Sequence, residues 1–350
     1  MPILILIRMI KKGTSTMRAA RVRPTSPEGT PYGFPGNVAP SSAIEIHNDV
    51  PKPHISKPGE LLVQVKASTV YKDNLEWNEL YPPSHATLGN DFSGIVVAIH
   101  DSEQDFRVGD HVYGMTHANR GGTWAEYAIV TTEEAVKKPD NLSWEEAAAI
   151  PGSALTADQA MFRHVGLETA AAEKGGQKRV LITGAAGGIG TFLVQFAVLA
   201  GHHVVAASSS NERNKSFLRS IGAHEVVEYK DFGNLDKVDV VVDSVGSEVL
   251  ADCWSVVKPD GGTLLSFDAC SWGYREAHKE QGISKGKEDV RALYMIAEPS
   301  RDSMARITEH VEKGNIKGRV AKTVSLNDVR EAYESAHSRG LGHGKIVVLI

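Results

Sequence analysis

Arg179-Val180-Leu181-Ile182-Thr183-Gly184-Ala185-Ala186-Gly187-Gly188-Ile189-Gly190-Thr191 is the stretch on which the fold turns. Its opening run shows no polar alternation, the pattern of a parallel strand buried on both faces. Gly184 to Gly190 is a glycine-rich turn, and Thr191 to Ala200 reads as a helix that is apolar on most of its circumference. Strand, turn and helix in that order leave unpaired N–H groups and a partial positive charge at the helix start. Gly187 and Gly188, with Ile189 beside them, let the backbone approach a pyrophosphate. Gly190 lets the helix pack closely on the sheet, so the unit reads as a dinucleotide-binding turn.

The pattern continues outward. Gly201 ends the helix and His202–Ala207 is the next strand; a helix spans Asn211–Ile221, and strands follow at Glu225–Tyr229 and Val238–Asp243. A further helix reaches Val257, the run Lys258-Pro259-Asp260-Gly261-Gly262 turns the chain, and Thr263–Phe267 is another strand. Strands alternating with helices at this spacing predict a doubly wound parallel sheet, an α/β fold of the Rossmann type. Upstream the texture differs: Gly59–Ala67 alternates apolar and polar, and short strands follow at Gly94–Ile99, His111–Tyr113 and Trp124–Val130. These predict an antiparallel, barrel-like domain. Ser143 and Glu146 form a capping box for a helix, Trp144–Ala149, which Pro151-Gly152 stops. From Pro299, an amphipathic helix (Met304, Ile307, Val311) and a last strand, Lys345–Ile350, return to the first domain. The division expected is a non-structural extension (1–16), one domain from 17–152 with 299–350, and a dinucleotide domain at 153–298.

Composition agrees with a globular enzyme-sized chain. The 350 residues exceed one ordinary core, and 41% apolar with 23% charged residues is the balance of a soluble protein. A net charge of -5 argues against nucleic acid or an anionic membrane as partner. No apolar run reaches the ~20 residues that span a bilayer. Two cysteines, Cys253 and Cys270, make no disulfide framework, so a reducing, cytoplasmic setting is expected. Arg8, Lys11, Lys12, Arg18, Arg21 and Arg23 all precede the first acid, Glu28, and this basic start leaves a mitochondrial leader as the alternative.

The end of the second parallel strand discriminates between cofactors. An NAD unit places an acid there, on the ribose hydroxyls. This chain has Ser208, Ser209 and Ser210, with Arg213 and Lys215 close behind. Hydroxyls with a guanidinium or ammonium suit a 2′-phosphate, and Glu212 has an adequate role at the start of a helix. NADPH is the expected cofactor.

Several motifs occur in a family's order: Gly89-Asn90-Asp91-Phe92-Ser93-Gly94, Val108-Gly109-Asp110-His111-Val112, Pro151 to Thr156, the glycine turn, Ile221-Gly222-Ala223, Asp243-Ser244-Val245-Gly246 and Gly344-Lys345-Ile346-Val347. From Met17 to Ile350 the chain resembles the zinc-free quinone oxidoreductase and enoyl reductase branch of the medium-chain dehydrogenases/reductases. The resemblance implies a GroES-like antiparallel β-barrel-type domain beside the Rossmann domain. It places Tyr229 beside the adenosine phosphate and Thr156 near the nicotinamide, with Val245, Gly246, Phe267, Gly344 and Lys345 flanking the nicotinamide half. It also suggests a homodimer through an edge strand near Leu293–Ile296.

Zinc-dependent members of that family ligate metal at positions that fall on Tyr71 and Asn90, and no four-cysteine cluster exists, so no metal is expected. Without a Lewis acid, hydride addition to an activated C=C bond stays feasible, given a donor to the enolate formed. Tyr71, in Ser68-Thr69-Val70-Tyr71-Lys72-Asp73, and Tyr81, in Leu80-Tyr81-Pro82, resemble tyrosines of enoyl reductases and are the candidate donors. Cys253 and Trp254 read as core, His202-His203 as sheet and solvent, and Trp77, Trp124 and Trp272 as either cleft wall or packing. The expected substrate is a small enone, quinone or enoyl thioester. A redox isomerase or alkenal reductase on the same fold is one alternative, and a non-catalytic NADPH-binding protein is another.

Overall fold

The computed structural model describes residues 15–33, 36–76, 86–169, 176–337 and 342–350. Tyr81 and Trp77 lie outside them, as does almost all of the stretch expected to be an extension. Strand β1 spans Thr16–Val22, so regular structure starts one residue inside that stretch.

The antiparallel part is built from β1, β2 (Ile44–Pro51), β3 (Glu60–Val70), β4 (Ala86–Thr87), β5 (Asp91–Ile99), β6 (His111–Met115), β7 (Tyr127–Thr131) and β8 (Ala135–Lys137). The first parallel strand, β9 (Arg179–Ile182), is followed by β10 (His203–Ser208), β11 (Glu225–Glu228), β12 (Val240–Asp243), β13 (Thr263–Ser266) and β14 (Arg291–Tyr294). Strands β15 (Val320–Ser325) and β16 (Lys345–Leu349) close the chain. The six parallel strands lie in the order β11-β10-β9-β12-β13-β14, the doubly wound arrangement in which the order reverses beside the first strand. A seven-stranded sheet runs β15-β16-β3-β5-β6-β8 with β7 on β3, and β2-β1-β4 form a small third sheet. The tail rejoins the antiparallel part through β16, which pairs with β3.

Helix α1 (Trp144–Ala148) starts at the expected capping box, with both Ser143 and Glu146 bonds present. As expected, α1 ends ahead of Pro151-Gly152, but that pair does not end helical structure. It opens α2 (Pro151–Asp158), which continues as a π-helical stretch, Gln159–Val165, to the left-handed Gly166. Proline at the first turn of a helix loses no bond, so the same residue that reads as a breaker serves as a start. The boundary drawn at 152/153 therefore falls within a helix. Helices α3 (Gly188–Leu199), α4 (Asn211–Ser220) and α5 (Ser247–Val256) flank the parallel sheet, with α6 (Tyr274–Glu280), α7 (Arg301–Glu312) and α8 (Val329–Ala336) after them.

One buried cluster joins the two halves: Tyr113 and Met115 of β6 pack with Ile150, Leu155, Phe192, Leu193, Met304 and Ile307. Cys253 and Trp254 are core, as expected, and Trp124 is fully buried with its indole N–H on the Thr69 carbonyl, so it packs rather than lines a cleft. No helix among the described residues is long and apolar enough to cross a membrane.

Candidate active site

A cleft of about 470 Å³ opens where the strand order reverses, between the carboxyl ends of the parallel strands and the edge of the seven-stranded sheet. The glycine turn forms one wall. Gly190 sits so close to the turn that a Cβ there would lie 2.1 Å from the Gly184 carbonyl oxygen, so only glycine permits this helix–strand approach. Helix α3 starts at Gly187 without a side-chain cap, which leaves its first N–H groups for a ligand.

Asp243, at the end of β12, holds this wall together. Its carboxylate accepts from the hydroxyls of Thr183 (2.6 Å) and Ser266 (2.9 Å) and from the backbone N–H of Val245 (3.2 Å) and Gly246 (3.0 Å). The ends of β9, β12 and β13 are thereby tied to the turn 243–246, and burial holds the carboxyl above its ordinary pKa. Thr156, on α2, donates to the Gly152 carbonyl at 2.7 Å, and with Ser153 and Phe267 it lines the cleft beside Gly187, Gly188, Ile189 and Gly190.

The opposite wall brings together three residues that are far apart in the chain. β16, β3 and β5 are neighbours and alternate in direction, so the start of β16, the end of β3 and the start of β5 share one edge. Lys345, Tyr71 and Asp91 occupy those three positions. Asp91 is fully buried and accepts from the Gly152 N–H at 2.7 Å and the Thr69 hydroxyl at 2.5 Å. The Lys345 ammonium lies 3.7 Å over the Tyr71 ring centroid and 3.9 Å from Asp91 Oδ2. Burial raises the Asp91 pKa and, despite the carboxylates of Asp91 and Asp73, pushes that of Lys345 down to about 8.

The Tyr71 hydroxyl has no accessible surface and closes no hydrogen bond; it lies against Asp91 and the Gly152 backbone, where a Cβ would stand 1.8 Å from it. The phenol oxygen expected to reach a substrate is thus inside the wall, while the ring faces the cleft. Burial raises its pKa well above the ordinary value. Nearby, Lys72 donates to Asp268 at 3.1 Å; burial is the largest influence and opposes its charge, but Asp268, Asp73 and Glu76 together outweigh it and raise its pKa.

The adenosine-phosphate candidates lie beyond this cavity, at the end of β10. Ser208 is buried and donates to the Ser210 carbonyl at 3.3 Å; the Ser210 hydroxyl caps α4 by accepting from the Arg213 N–H. Ser209, Arg213 and Lys215 are exposed, with the Arg213 guanidinium 3.4 Å from the Ser209 hydroxyl. The Tyr229 hydroxyl accepts from the Gly184 N–H at 3.1 Å, which links this region to the glycine turn. His343 stacks on Phe217 of α4 at 3.7 Å, so the segment carrying Gly344 and Lys345 rests on the same helix. The sequence marks Asp91 and Asp243 only as members of their motifs; an acid at one end of an apolar strand is the signal it offers for both.

Two family models match the chain: the alcohol dehydrogenase GroES-like domain over residues 57–140 and the zinc-binding dehydrogenase over 221–348. The chain is 35% identical over 311 residues to the probable zinc-binding oxidoreductase, mitochondrial, of Arthroderma benhamiae, covering 86% of this chain and 91% of the relative. It is 30% identical over 283 residues to the NAD(P)H oxidoreductase RTN4IP1, mitochondrial, of Danio rerio (75% and 72% covered). Over 195 residues it is 34% identical to the trans-enoyl reductase RAP2 of Pyricularia oryzae, with 54% of each covered. Among solved structures, the quinone oxidoreductase from Coxiella burnetii superposes with a TM-score of 0.80 over 96% of this chain and all of its own, at 22% identity, a likeness of fold.

A glycine turn at a strand-order reversal, facing a GroES-like wall, defines a nicotinamide-dependent oxidoreductase. The chain belongs to the medium-chain dehydrogenase/reductase superfamily, among the quinone oxidoreductase and enoyl reductase relatives.

The zinc in that family's description does not fit the residues here. At the two ligand positions stand the Tyr71 phenol and the Asn90 amide, whose nitrogen donates to the carbonyls of Thr116 (3.4 Å) and His117 (3.2 Å). Zinc sites are built from thiolate, imidazole and carboxylate, and neither a phenol nor a neutral amide belongs to that set. No group of three or more His, Cys, Asp or Glu is placed to hold a metal among the described residues.

Proposed function

We propose that this oxidoreductase uses NADPH to reduce a carbon–carbon double bond conjugated to a carbonyl, in an enone, quinone or enoyl thioester, without zinc. The observation that carries the reading is the wall opposite the glycine turn. A buried cation and the face of the Tyr71 ring line the cleft there, and no ligand set for a Lewis acid accompanies them among the described residues. Alcohol oxidation in this fold relies on a metal to stabilise alkoxide, whereas a conjugated acceptor needs only donors toward the enolate oxygen or carbon.

When bound, the reduced nicotinamide supplies hydride. The backbone of Gly187 to Gly190 and the start of α3 hold the pyrophosphate; Thr156, Val245, Gly246 and Phe267 enclose the nicotinamide half. Ser209, Arg213 and Lys215, arranged around Ser208 and Ser210, hold the 2′-phosphate, and Tyr229 borders the adenosine. Of the two compartments expected, the basic N-terminal stretch and the mitochondrial names of the relatives favour the mitochondrion.

The test is absorbance at 340 nm with NADPH or NADH against a panel of enones, quinones, enoyl thioesters, aldehydes and alcohols, with elemental analysis of the same preparation. Consumption of NADPH by conjugated acceptors, with no stoichiometric zinc, is expected. Turnover restricted to alcohols and simple aldehydes, or one zinc per chain, overturns the proposal. Product formed without net NADPH consumption identifies an isomerase instead.

A further inference from the structure

Lys345, expected to flank the nicotinamide half, carries an ammonium that the binding of a dinucleotide alone does not use. Its side chain is 11% exposed, its stem passes over Gly188, and its ammonium enters the cleft at the edge where Tyr71 and Asp91 meet. Asp91 already accepts from Thr69 and Gly152, and at 3.9 Å it offers Lys345 charge rather than a hydrogen bond. The ammonium makes no hydrogen bond to any described residue, so its N–H groups are unspent. A desolvated cation open to the reacting space is disposed to give up a proton, while the carboxylate and the aromatic face hold it in place.

We infer that Lys345 is the acid that protonates the α-carbon of the substrate, with Asp91 and Tyr71 as its positioning residues. This rests on the reductase reading above. Hydride reaches the β-carbon with its electron pair, and the C=C π pair moves toward the carbonyl as an enolate. One Lys345 N–H bond then breaks, its pair stays on nitrogen, and the proton bonds the α-carbon to give the saturated carbonyl compound. Solvent reprotonates the amine through the cleft. The groups facing the ammonium are Asp91, Asp73 and the face of the Tyr71 ring, and its depressed pKa suits proton transfer near neutral pH.

The experiment compares wild type, Lys345→Met, Lys345→Arg and Asp91→Asn on two acceptors. 3-Penten-2-one must be protonated on carbon; 1,4-naphthoquinone is protonated on oxygen, which water can do. Lys345→Met is expected to lose on the order of 10²–10⁴ in kcat on the enone and about tenfold or less on the quinone. Lys345→Arg should fare no better, since a guanidinium keeps the charge but does not yield a proton at neutral pH. NADPH affinity by calorimetry should stay within about tenfold, less than one charge-assisted bond to the cofactor is worth at its strongest. A readout independent of turnover is acylation of the apo-protein across pH, followed by mass spectrometry. Lys345 should react with a midpoint below that of surface lysines, and Asp91→Asn should move it lower, since removing the carboxylate disfavours the ammonium. Rescue by arginine, equal losses on both acceptors, a larger affinity loss, or Lys345 reacting only with the surface lysines each overturns the inference. Wild type that reduces neither acceptor nor an enoyl thioester, yet labels as expected, overturns the reductase reading instead.

Discussion

Gly188 and Lys345 meet in one space: a Cβ on Gly188 would stand 2.9 Å from Lys345 Cδ, so a side chain on the first residue of α3 would push the lysine stem aside. The glycine that belongs to the dinucleotide turn also sets the position of the cation on the other wall. Gly188→Ala is compatible with a helical first turn, so the melting temperature should change little. The lysine, displaced from Asp91 and the Tyr71 ring, should cost enone reduction on the order of 10- to 100-fold, the scale of an ångström of misplacement. A variant that keeps the wild-type enone rate would separate the two residues functionally.

Cofactor preference tests the other end of the cleft. Arg213 and Lys215 are exposed, and the Arg213 guanidinium lies 3.4 Å from the Ser209 hydroxyl, so removing either should cost a charge-assisted bond to the 2′-phosphate, roughly 1.5–3 kcal/mol or about ten- to a hundredfold in NADPH affinity. NADH affinity should hardly change. Calorimetry on Arg213→Ala and Lys215→Ala that shows equal losses for both cofactors would mean the residues act through the fold.

The parallel sheet carries a pH signature away from the site. Glu225, at the start of β11, takes the Arg179 guanidinium of β9, with one contact at 2.8 Å, and meets His203 of β10 at 2.6 Å. Chiefly through Arg179 its pKa is held down at about 2, against 4.5 ordinarily. A depressed acid stabilises the fold above the ordinary value and loses that contribution as pH falls toward the folded one. With about a third of its side chain exposed the gain is screened, to no more than about 1 kcal/mol. The melting difference between wild type and Glu225→Gln should be full near neutrality and well reduced by about pH 3. A difference independent of pH would show that the pair contributes packing alone.

The parallel sheet was legible because its strands are buried on both faces and read as unbroken apolar runs, Val180 to Ile182 and Val240 to Val242. The capping box at Ser143 was legible because it is local. Pro151 was legible as the stop of α1 but not as the start of α2, because a proline ends one helix and opens another with the same chemistry. The wall of Lys345, Tyr71 and Asp91 was beyond the sequence: its geometry comes from the antiparallel register of β16, β3 and β5, which no local pattern encodes. Tyr71 itself was found by resemblance, but the direction of its hydroxyl depends on Gly152 and Asp91.

That direction changes what Tyr71 substitutions should do. A phenol donating to the substrate would make Tyr71→Phe lose the 10²–10³ typical of one oxyanion donor. In the structure the hydroxyl is sealed in the wall without a hydrogen bond, while the ring face carries the Lys345 ammonium at 3.7 Å. Tyr71→Phe keeps the ring and removes a buried oxygen that gains little, so stability should hold and enone reduction should change by no more than about fivefold. Tyr71→Leu removes the aromatic face, a contribution of about 2 kcal/mol for a desolvated cation, and should lower the enone rate by about ten- to thirtyfold. It should also shift the rate's dependence on pH to lower values, because the ammonium loses a favourable partner and gives up its proton more readily. A loss of 10² or more in Tyr71→Phe would restore the hydroxyl as the donor and require it to swing into the cleft when the cofactor binds. Equal, small effects in both variants would leave Asp91 alone to place the lysine, and Asp91→Asn would then carry the whole loss.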